Sequence, residues 1–173
     1  ISFFVPLILF GNSFESVLFK NVLLNSYRIG FFEVLQKMGA SIQLINIKKY
    51  NMEDIGDVLI SKNDKNLQNI EINADFIGSI IDEIPILVYI AAKSEGRFTI
   101  SGIKNLKNKE SDRIKNIIDN FQNIGIKVFY DDEMDILEVN GMQDVLSGVV
   151  FPKNDHRFIM LFEIISLIEN KNI

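Results

Sequence analysis

Apolar and polar positions in the first part of the chain follow a defined order of periods. An almost wholly apolar segment at 1–9 precedes a strand-like segment at 16–19. Apolar residues then recur at helical spacing over 29–38, and two strand-like segments follow at 42–45 and 56–61. Helical spacing of this kind is typical of a helix with one buried face, and short β-branched runs are typical of strands. The pattern predicts the order helix, strand, helix, strand, strand.

The same order returns further along the chain. Its segments are an apolar helix at 81–92, a strand at 98–101, an amphipathic helix at 112–123, and two strands at 126–129 and 136–139. The two strands flank an acidic turn, which predicts that they pair as a hairpin. The chain therefore contains a second unit with the same order of helices and strands as the first.

Glycine closes the amphipathic helix of each unit, because glycine readily takes the left-handed conformation that ends a helix. Gly39 and Gly125 imply an internal repeat of about 85 residues. A third unit begins at His156, where the apolar segment at 158–168 predicts another buried helix. The predicted units lie at about 1–75, about 76–150, and the start of a third at 151–173.

Repeated units with two helices and several strands predict an α/β fold, in which helices and sheets pack in layers. The segments at 1–9 and 81–92 are apolar on nearly every face. Helices of that kind belong inside a shell of other elements. We therefore expect these two helices to lie in the interior of the fold.

Composition narrows the class of protein. The chain of 173 residues is 47% hydrophobic and 24% charged, which suits one globular domain. Its net charge of -5 and scattered basic residues argue against a nucleic-acid surface. Without Cys and with one His, disulfides, thiol catalysis and multi-histidine metal sites are excluded. The apolar run at 1–10 is too short to span a membrane, and the initial Ile indicates a fragment or a processed chain.

One charged stretch, Lys109-Glu110-Ser111-Asp112-Arg113, runs into the second amphipathic helix. Ser111 or Asp112 can cap this helix, because a short side-chain oxygen accepts from the unpaired amides of a first turn. The other three residues gather two positive charges and a carboxylate at a helix N-terminus, which favours anions. The stretch is either an anion site or an ordinary capped surface helix.

Two further stretches favour the anion site. The order Asp-Glu-Ile-Pro at 82–85, Lys-Glu-Ser-Asp-Arg at 109–113, and Asn-Asp-His-Arg at 154–157 followed by Met160 resembles the 5-enolpyruvylshikimate-3-phosphate synthase family. Enzymes of that family transfer an enolpyruvyl group from phosphoenolpyruvate to shikimate 3-phosphate and release phosphate. The resemblance implies a two-domain fold, with three units per domain arranged as an inside-out α/β barrel. This chain would be most of one such domain, incomplete in its third unit.

The resemblance implies roles for individual residues. Asp82 matches the aspartate that contacts the acceptor hydroxyl and acts as its base, although its position before Ile84-Pro85 also suits a helix N-cap. Glu110 matches the glutamate that exchanges a proton with the methylene carbon of phosphoenolpyruvate. Lys109 matches a lysine at the reacting centre.

Three further residues match substrate-binding positions of the family. Arg113 and Arg157 match arginines that bind the phosphoenolpyruvate carboxylate, for which a guanidinium is suited by its two parallel donors. Asn105 matches an asparagine that some members use against the acceptor. We interpret His156 as structural.

Family motifs that hold the rest of the substrates have no counterpart here, so we expect this chain alone to be inactive and to need the missing portion of the enzyme. The resemblance implies no metal or organic cofactor, no nucleic-acid or membrane partner, and a cytoplasmic location. Two alternatives stay open. One is a relative of the enolpyruvyl transferase that acts on UDP-N-acetylglucosamine, and the other is a non-catalytic α/β remnant.

Overall fold

The computed structural model describes residues 1–173 and begins with a 3₁₀ turn at Ser2–Phe4. The first unit then contains two helices and three strands. They are α1 (Val5–Leu9), β1 (Ser16–Leu23), α2 (Gly30–Lys37), β2 (Ser41–Tyr50) and β3 (Glu53–Ser61). The predicted order of the first unit is confirmed.

The second unit has the same order with one addition. It contains β4 (Glu71–Ile72), α3 (Ile84–Lys93), β5 (Arg97–Ser101), α4 (Arg113–Asn123), β6 (Val128–Asp131) and β7 (Ile136–Asn140). The two-residue strand β4 was not predicted, because so short a segment has no readable period. Two 3₁₀ segments, Ala74–Ser79 and Lys104–Asn108, precede α3 and α4. The chain closes with α5 (His156–Glu169), the helix expected to open the third unit.

Each unit builds its own open sheet. The first sheet has the order β1-β3-β2, and both of its pairings are antiparallel. The second has the order β4-β5-β7-β6, in which only the β4–β5 pairing is parallel. Burial alternates along β5, since Phe98 and Ile100 face the core while their neighbours do not. This is the pattern of a sheet with one face on the core and one toward solvent.

Helix α3 lies at the centre of the core. Nine of its ten residues are buried, and it packs against α5 and β7. Helix α1 also packs against α5, so the first helices of the successive units lie together inside the sheets. None of the helices is long and apolar enough to cross a membrane. The α/β class and the interior position of the apolar helices are confirmed.

The start of α3 differs from the predicted helix at 81–92. Residues 81–83 form a turn, and the helix begins at Ile84 with Pro85 in its first turn. Proline suits a first turn because it has no amide to leave unpaired, and it disfavours helix before it. The three residues before Ile84 are therefore freed from the helix, and Asp82 is among them.

Glycine closes the amphipathic helices as predicted. Gly39, after α2, has φ +95°, and Gly125, after α4, has φ +85°. Both values lie in the left-handed region that favours glycine at a helix C-terminus. The equivalent ends of α2 and α4 support the internal repeat.

Candidate active site

Asp82 is the point at which the three charged motifs meet. Its Oδ1 accepts a hydrogen bond from Arg113 Nη1 at 3.0 Å, and its Oδ2 accepts one from Arg157 Nη2 at 3.1 Å. The Lys109 Nζ lies 3.6 Å from Oδ1. Lys109 and Arg113 lie just before and at the start of α4 and Arg157 at the start of α5, so only the tertiary fold brings the two groups of cations to Asp82.

Helix boundaries position these side chains. The Asp112 Oδ1 accepts from the Lys115 amide at 3.0 Å and so caps α4, which places Arg113 in the first turn. The Asp155 Oδ1 accepts from the Arg157 amide at 3.1 Å and caps α5. The choice left open between Ser111 and Asp112 is settled for Asp112.

The interpretation of Asp82 as a helix cap is wrong. Glu83 occupies the N-cap position of α3, and its side chain makes no capping hydrogen bond. The Asp82 carboxylate is directed instead to Arg113 and Arg157. The capping alternative fails because the turn at 81–83 holds Asp82 outside the helix.

Arg113 is fully buried, and each of its nitrogens is engaged by a carboxylate. Its Nε donates to Asp155 Oδ2 at 2.9 Å, and its Nη2 donates to Glu110 Oε2 at 2.6 Å. The remaining nitrogen donates to Asp82. A carboxylate ligand can therefore reach this guanidinium only by displacing Asp82 or Glu110.

Asp155 is the site residue that sequence reasoning missed. It is completely buried, and in addition to Arg113 and the α5 amide it accepts from Ser111 Oγ at 3.1 Å. Its position immediately before a helix signals a cap. Nothing local signals that its other oxygen joins the motif at 109–113 to the motif at 154–157.

The predicted residues differ in exposure. The side chains of Asp82, Lys109 and Glu110 are 33%, 31% and 53% exposed, and that of Arg157 is 22% exposed. Asn105 lies exposed on the 3₁₀ segment before the loop and makes no hydrogen bond to the other five residues. The structure therefore brings five of the six predicted residues together.

The cations lower the pKa of two neighbouring carboxyl groups, those of Asp82 and Asp155. Burial acts to raise the pKa of Asp82, but the charges of Arg157 and Lys109 and the hydrogen bond from Arg113 outweigh burial and lower it. Burial also opposes ionisation of Asp155, but the hydrogen bond and charge of Arg113 lower its pKa below the usual value. By contrast, burial raises the pKa of Glu83. No His, Asp and Glu side chains form a group of three or more that could hold a metal ion.

A cavity of about 410 Å³ adjoins this cluster. Asp82, Glu83 and Arg157 line one part of it, and Arg28 and Ser79 line another. The exposed part of Arg157 therefore faces a space large enough for a small molecule.

A model of the EPSP synthase (3-phosphoshikimate 1-carboxyvinyltransferase) family matches residues 10–173. The chain belongs to the EPSP synthase family. The three motifs that meet at Asp82 all lie within the region that matches the EPSP synthase family.

Individual relatives agree with this membership. The chain is 38% identical over 159 residues to the 3-phosphoshikimate 1-carboxyvinyltransferase of Persephonella marina, covering 92% of this chain and 36% of that protein. It is 36% identical over 173 residues to the Petrotoga mobilis protein of the same name, covering 99% and 39%. The chain thus spans less than two-fifths of the length of these relatives.

Solved structures give the same fold. EPSP synthase from Acinetobacter baumannii superposes with a TM-score of 0.83 at 30% identity, covering 96% of this chain and 38% of that one. The enolpyruvyl transferase NikO from Streptomyces tendae superposes with a TM-score of 0.71 at 17% identity, covering 96% and 35%. The second likeness concerns the fold alone.

Proposed function

We propose that this chain forms one wall of the active site of an enzyme that transfers the enolpyruvyl group of phosphoenolpyruvate to shikimate 3-phosphate. The observation that carries the proposal is the convergence of Arg113, Arg157 and Lys109 on the Asp82 carboxylate. The reaction needs cations for two anionic substrates and a base for the acceptor hydroxyl. This cluster supplies both beside a cavity.

Arg157 is the first contact for the carboxylate of phosphoenolpyruvate in this scheme. It is partly exposed, lines the cavity, and has the Asp82 carboxylate as its side-chain ion-pair partner. Arg113 becomes available only when Glu110 or Asp82 moves, because its donors are engaged. The internal carboxylates therefore occupy the positions that a substrate carboxylate would take.

Binding of the anion prepares Asp82 to act as the base. The charge of Arg157, with Arg113 and Lys109, holds the pKa of Asp82 down. A substrate carboxylate on Arg157 neutralises part of that charge, so the Asp82 carboxylate becomes more basic when the substrate is present. Asp82 then takes the proton of the acceptor hydroxyl while the hydroxyl oxygen of the acceptor bonds to the central carbon of phosphoenolpyruvate.

Glu110 exchanges the second proton. Its carboxyl is half-exposed and can leave Arg113 to reach the substrate. Once protonated, it gives a proton to the methylene carbon and yields a tetrahedral ketal. The bond to phosphate then breaks, the leaving phosphate takes up the proton held by Asp82, and Glu110 removes a proton from the new methyl group, which restores the enolpyruvyl double bond. Lys109, beside Asp82, is placed to stabilise the developing negative charge.

The remainder of the enzyme is the partner that this proposal requires. The outer side of α5 leaves Ile159, Met160 and Leu167 exposed by 45%, 41% and 70%. These apolar side chains support further polypeptide packing there, since exposed apolar patches mark interaction surfaces. Without the remainder the site stays open to water, so we expect no turnover from this chain alone.

The proposed reaction needs no cofactor, and the charge of its substrates indicates where it takes place. The scheme uses only acids, bases and fixed cations, so it requires neither a metal nor an organic cofactor. We place the reaction in the cytoplasm, because both substrates are multiply charged and do not cross lipid unaided. Asn105 remains a proposed acceptor contact that requires a movement of its 3₁₀ segment.

A chimera tests the function. This chain replaces the matching segment of the Persephonella marina relative, and phosphate release from phosphoenolpyruvate and shikimate 3-phosphate is measured. We expect turnover that falls at least about a hundredfold in Glu110→Gln, because proton transfer contributes about 10²–10⁴-fold. Glu133→Gln, an exposed acid in the β6–β7 turn, is the matched control. A folded chimera without turnover would support the non-catalytic remnant instead.

A further inference from the structure

Arg28 lines the cavity beside Asp82 without any partner for its charge. It is exposed, forms no ion pair, and donates no side-chain hydrogen bond. No carboxylate oxygen lies within 4.0 Å of its guanidinium nitrogens. The other three arginines of the chain, Arg97, Arg113 and Arg157, are each paired with acids. Arg28 is thus the one arginine that is not paired with an acid of the chain.

The internal repeat places Arg28 at the position that Arg113 holds in the second unit. The sequence Ser-Tyr-Arg-Ile at 26–29 returns as Ser-Asp-Arg-Ile at 111–114, about 85 residues later. Each arginine lies at the entry to the second helix of its unit. The two arginines are therefore related by the repeat, and both lie close to Asp82, since Arg113 donates to its carboxylate and Arg28 lines the same cavity.

A close helix contact holds Arg28 near Asp82. A Cβ added at Gly30, in the first turn of α2, would lie 2.1 Å from Ser79 Oγ and 2.9 Å from Ile80 Cγ2. Only glycine permits this approach, because any side chain would overlap these atoms. The turn that carries Arg28 is consequently fixed against the segment that leads into Asp82.

The local turn is also ordered by hydrogen bonds. The Asn25 Oδ1 accepts from the Tyr27 amide at 2.9 Å, and the Arg28 amide donates to the Asn25 carbonyl at 2.8 Å. Asp155 makes the same contact with the amide two residues ahead of it at the start of α5. The backbone that carries Arg28 is therefore preorganised like that of Arg157.

We propose that Arg28 is a further substrate-binding residue, which holds an anionic group of the acceptor molecule whose hydroxyl lies at Asp82. This inference rests on the function proposed above. Arg157 serves the donor carboxylate at one part of the cavity, and Arg28 offers a separate cation at another. The acceptor carries both a carboxylate and a phosphate, and either can form charge-assisted hydrogen bonds with a guanidinium.

Titration of the isotopically labelled chain tests this assignment. Amide shifts of Tyr27, Gly78 and Ser79 are followed by NMR as shikimate 3-phosphate, phosphoenolpyruvate, shikimate or inorganic phosphate is added. We expect Arg28→Gln to lower the affinity for shikimate 3-phosphate about tenfold or more, which is the usual effect of losing a hydrogen bond to a charged group. Phosphoenolpyruvate binding should change less than about twofold, a difference too small to represent loss of such a bond. Shikimate and inorganic phosphate show which anionic group Arg28 holds.

Two variants control the titration. Arg97→Gln removes an arginine that does not line the cavity and should leave both affinities unchanged. Arg28→Lys keeps the charge and should restore part of the affinity. Equal binding of shikimate 3-phosphate by Arg28→Gln and the unmodified chain would overturn the inference, while a response to Arg157→Gln would leave the proposed function standing. An Arg28→Gln variant that loses phosphoenolpyruvate binding but keeps shikimate 3-phosphate binding would also overturn the inference. Failure of the unmodified chain to bind shikimate 3-phosphate would overturn this inference, whereas turnover of the chimera tests the proposed function separately.

Discussion

The Arg113 Nε donates to Asp155 Oδ2 at 2.9 Å, and both side chains are completely buried. The partners are 42 residues apart in the chain, one in the first turn of α4 and the other capping α5. This ion pair therefore fastens two of the three charged motifs to each other. The exposed part of the cluster, at Asp82, Glu110 and Arg157, is built on that buried pair.

Removal of Arg113 should destabilise the fold strongly. Arg113→Ala leaves Asp155 as an uncompensated buried charge, and breaking such a pair costs about 3–5 kcal/mol in free energy of unfolding. Urea unfolding followed by circular dichroism measures this loss. Arg97→Ala is the control, because Arg97 forms an exposed pair with Glu138 and exposed pairs contribute little. Equal losses in the two variants would show that the buried pair is not structurally important.

The free energy of unfolding should decrease as the pH is lowered in the acid range. The folded-state pKa values of Asp82 and Asp155 lie below the ordinary value because of their cationic partners. Their contribution is complete above the unfolded carboxyl pKa of about 3.9 and is lost as pH falls below it toward the folded values. Free energies of unfolding measured from pH 6.5 down to pH 3 should show this decline.

A substitution at Asp155 tests whether this buried carboxyl group causes the loss of stability in acid. Asp155→Asn keeps an oxygen that can cap α5 but removes the charge, so it should flatten the decline below about pH 4. Asp64→Asn, in the exposed loop after β3, removes an acid without an ion pair and should leave the decline unchanged. A decline of the same slope in Asp155→Asn would assign the acid sensitivity to other groups.

A methyl group at Gly141 should be poorly tolerated. A Cβ there would lie 1.8 Å from the Ser94 carbonyl oxygen, a backbone atom that cannot move aside freely. Gly141→Ala should therefore cost about 1–3 kcal/mol, as overpacking usually does. Thermal unfolding measures the change. Gly78→Ala is the matched control, since nothing lies within 4 Å of its added Cβ. An unchanged melting temperature for Gly141→Ala would contradict this contact.

The docking of α5 on α3 should depend on one buried hydroxyl. The Tyr89 OH donates to Glu169 Oε1 at 2.7 Å, and Lys93 Nζ lies 3.1 Å from the same oxygen. Tyr89→Phe should cost about 1.5–3 kcal/mol, because the lost hydrogen bond is to a charged group. Denaturant titration measures this loss, and Tyr50→Phe, at an exposed ring, serves as the control. A loss no larger than that of the control would exclude a role for the hydroxyl.

The sequence by itself determined the elements, their repeat and the ends of the amphipathic helices. Periodicity reports burial within one element, so α2, α4 and the hairpin of β6 and β7 were readable from spacing alone. Glycine at 39 and 125 marked helix ends because its backbone preference is a local property. The motifs also identified five residues that the fold brings together, through resemblance to a family.

Only the tertiary structure decided how those residues are used. It placed Asp82 outside α3 and buried Arg113 completely among three carboxylates. It also paired Asp155, in the motif at 154–157, with Arg113, in the motif at 109–113. It left Arg28 without an acidic partner in the cavity that Asp82 also lines. These outcomes depend on the packing of helix starts that are distant in the chain. Hydrophobic period and local propensity describe neighbours along the sequence, and they do not specify which distant charges meet.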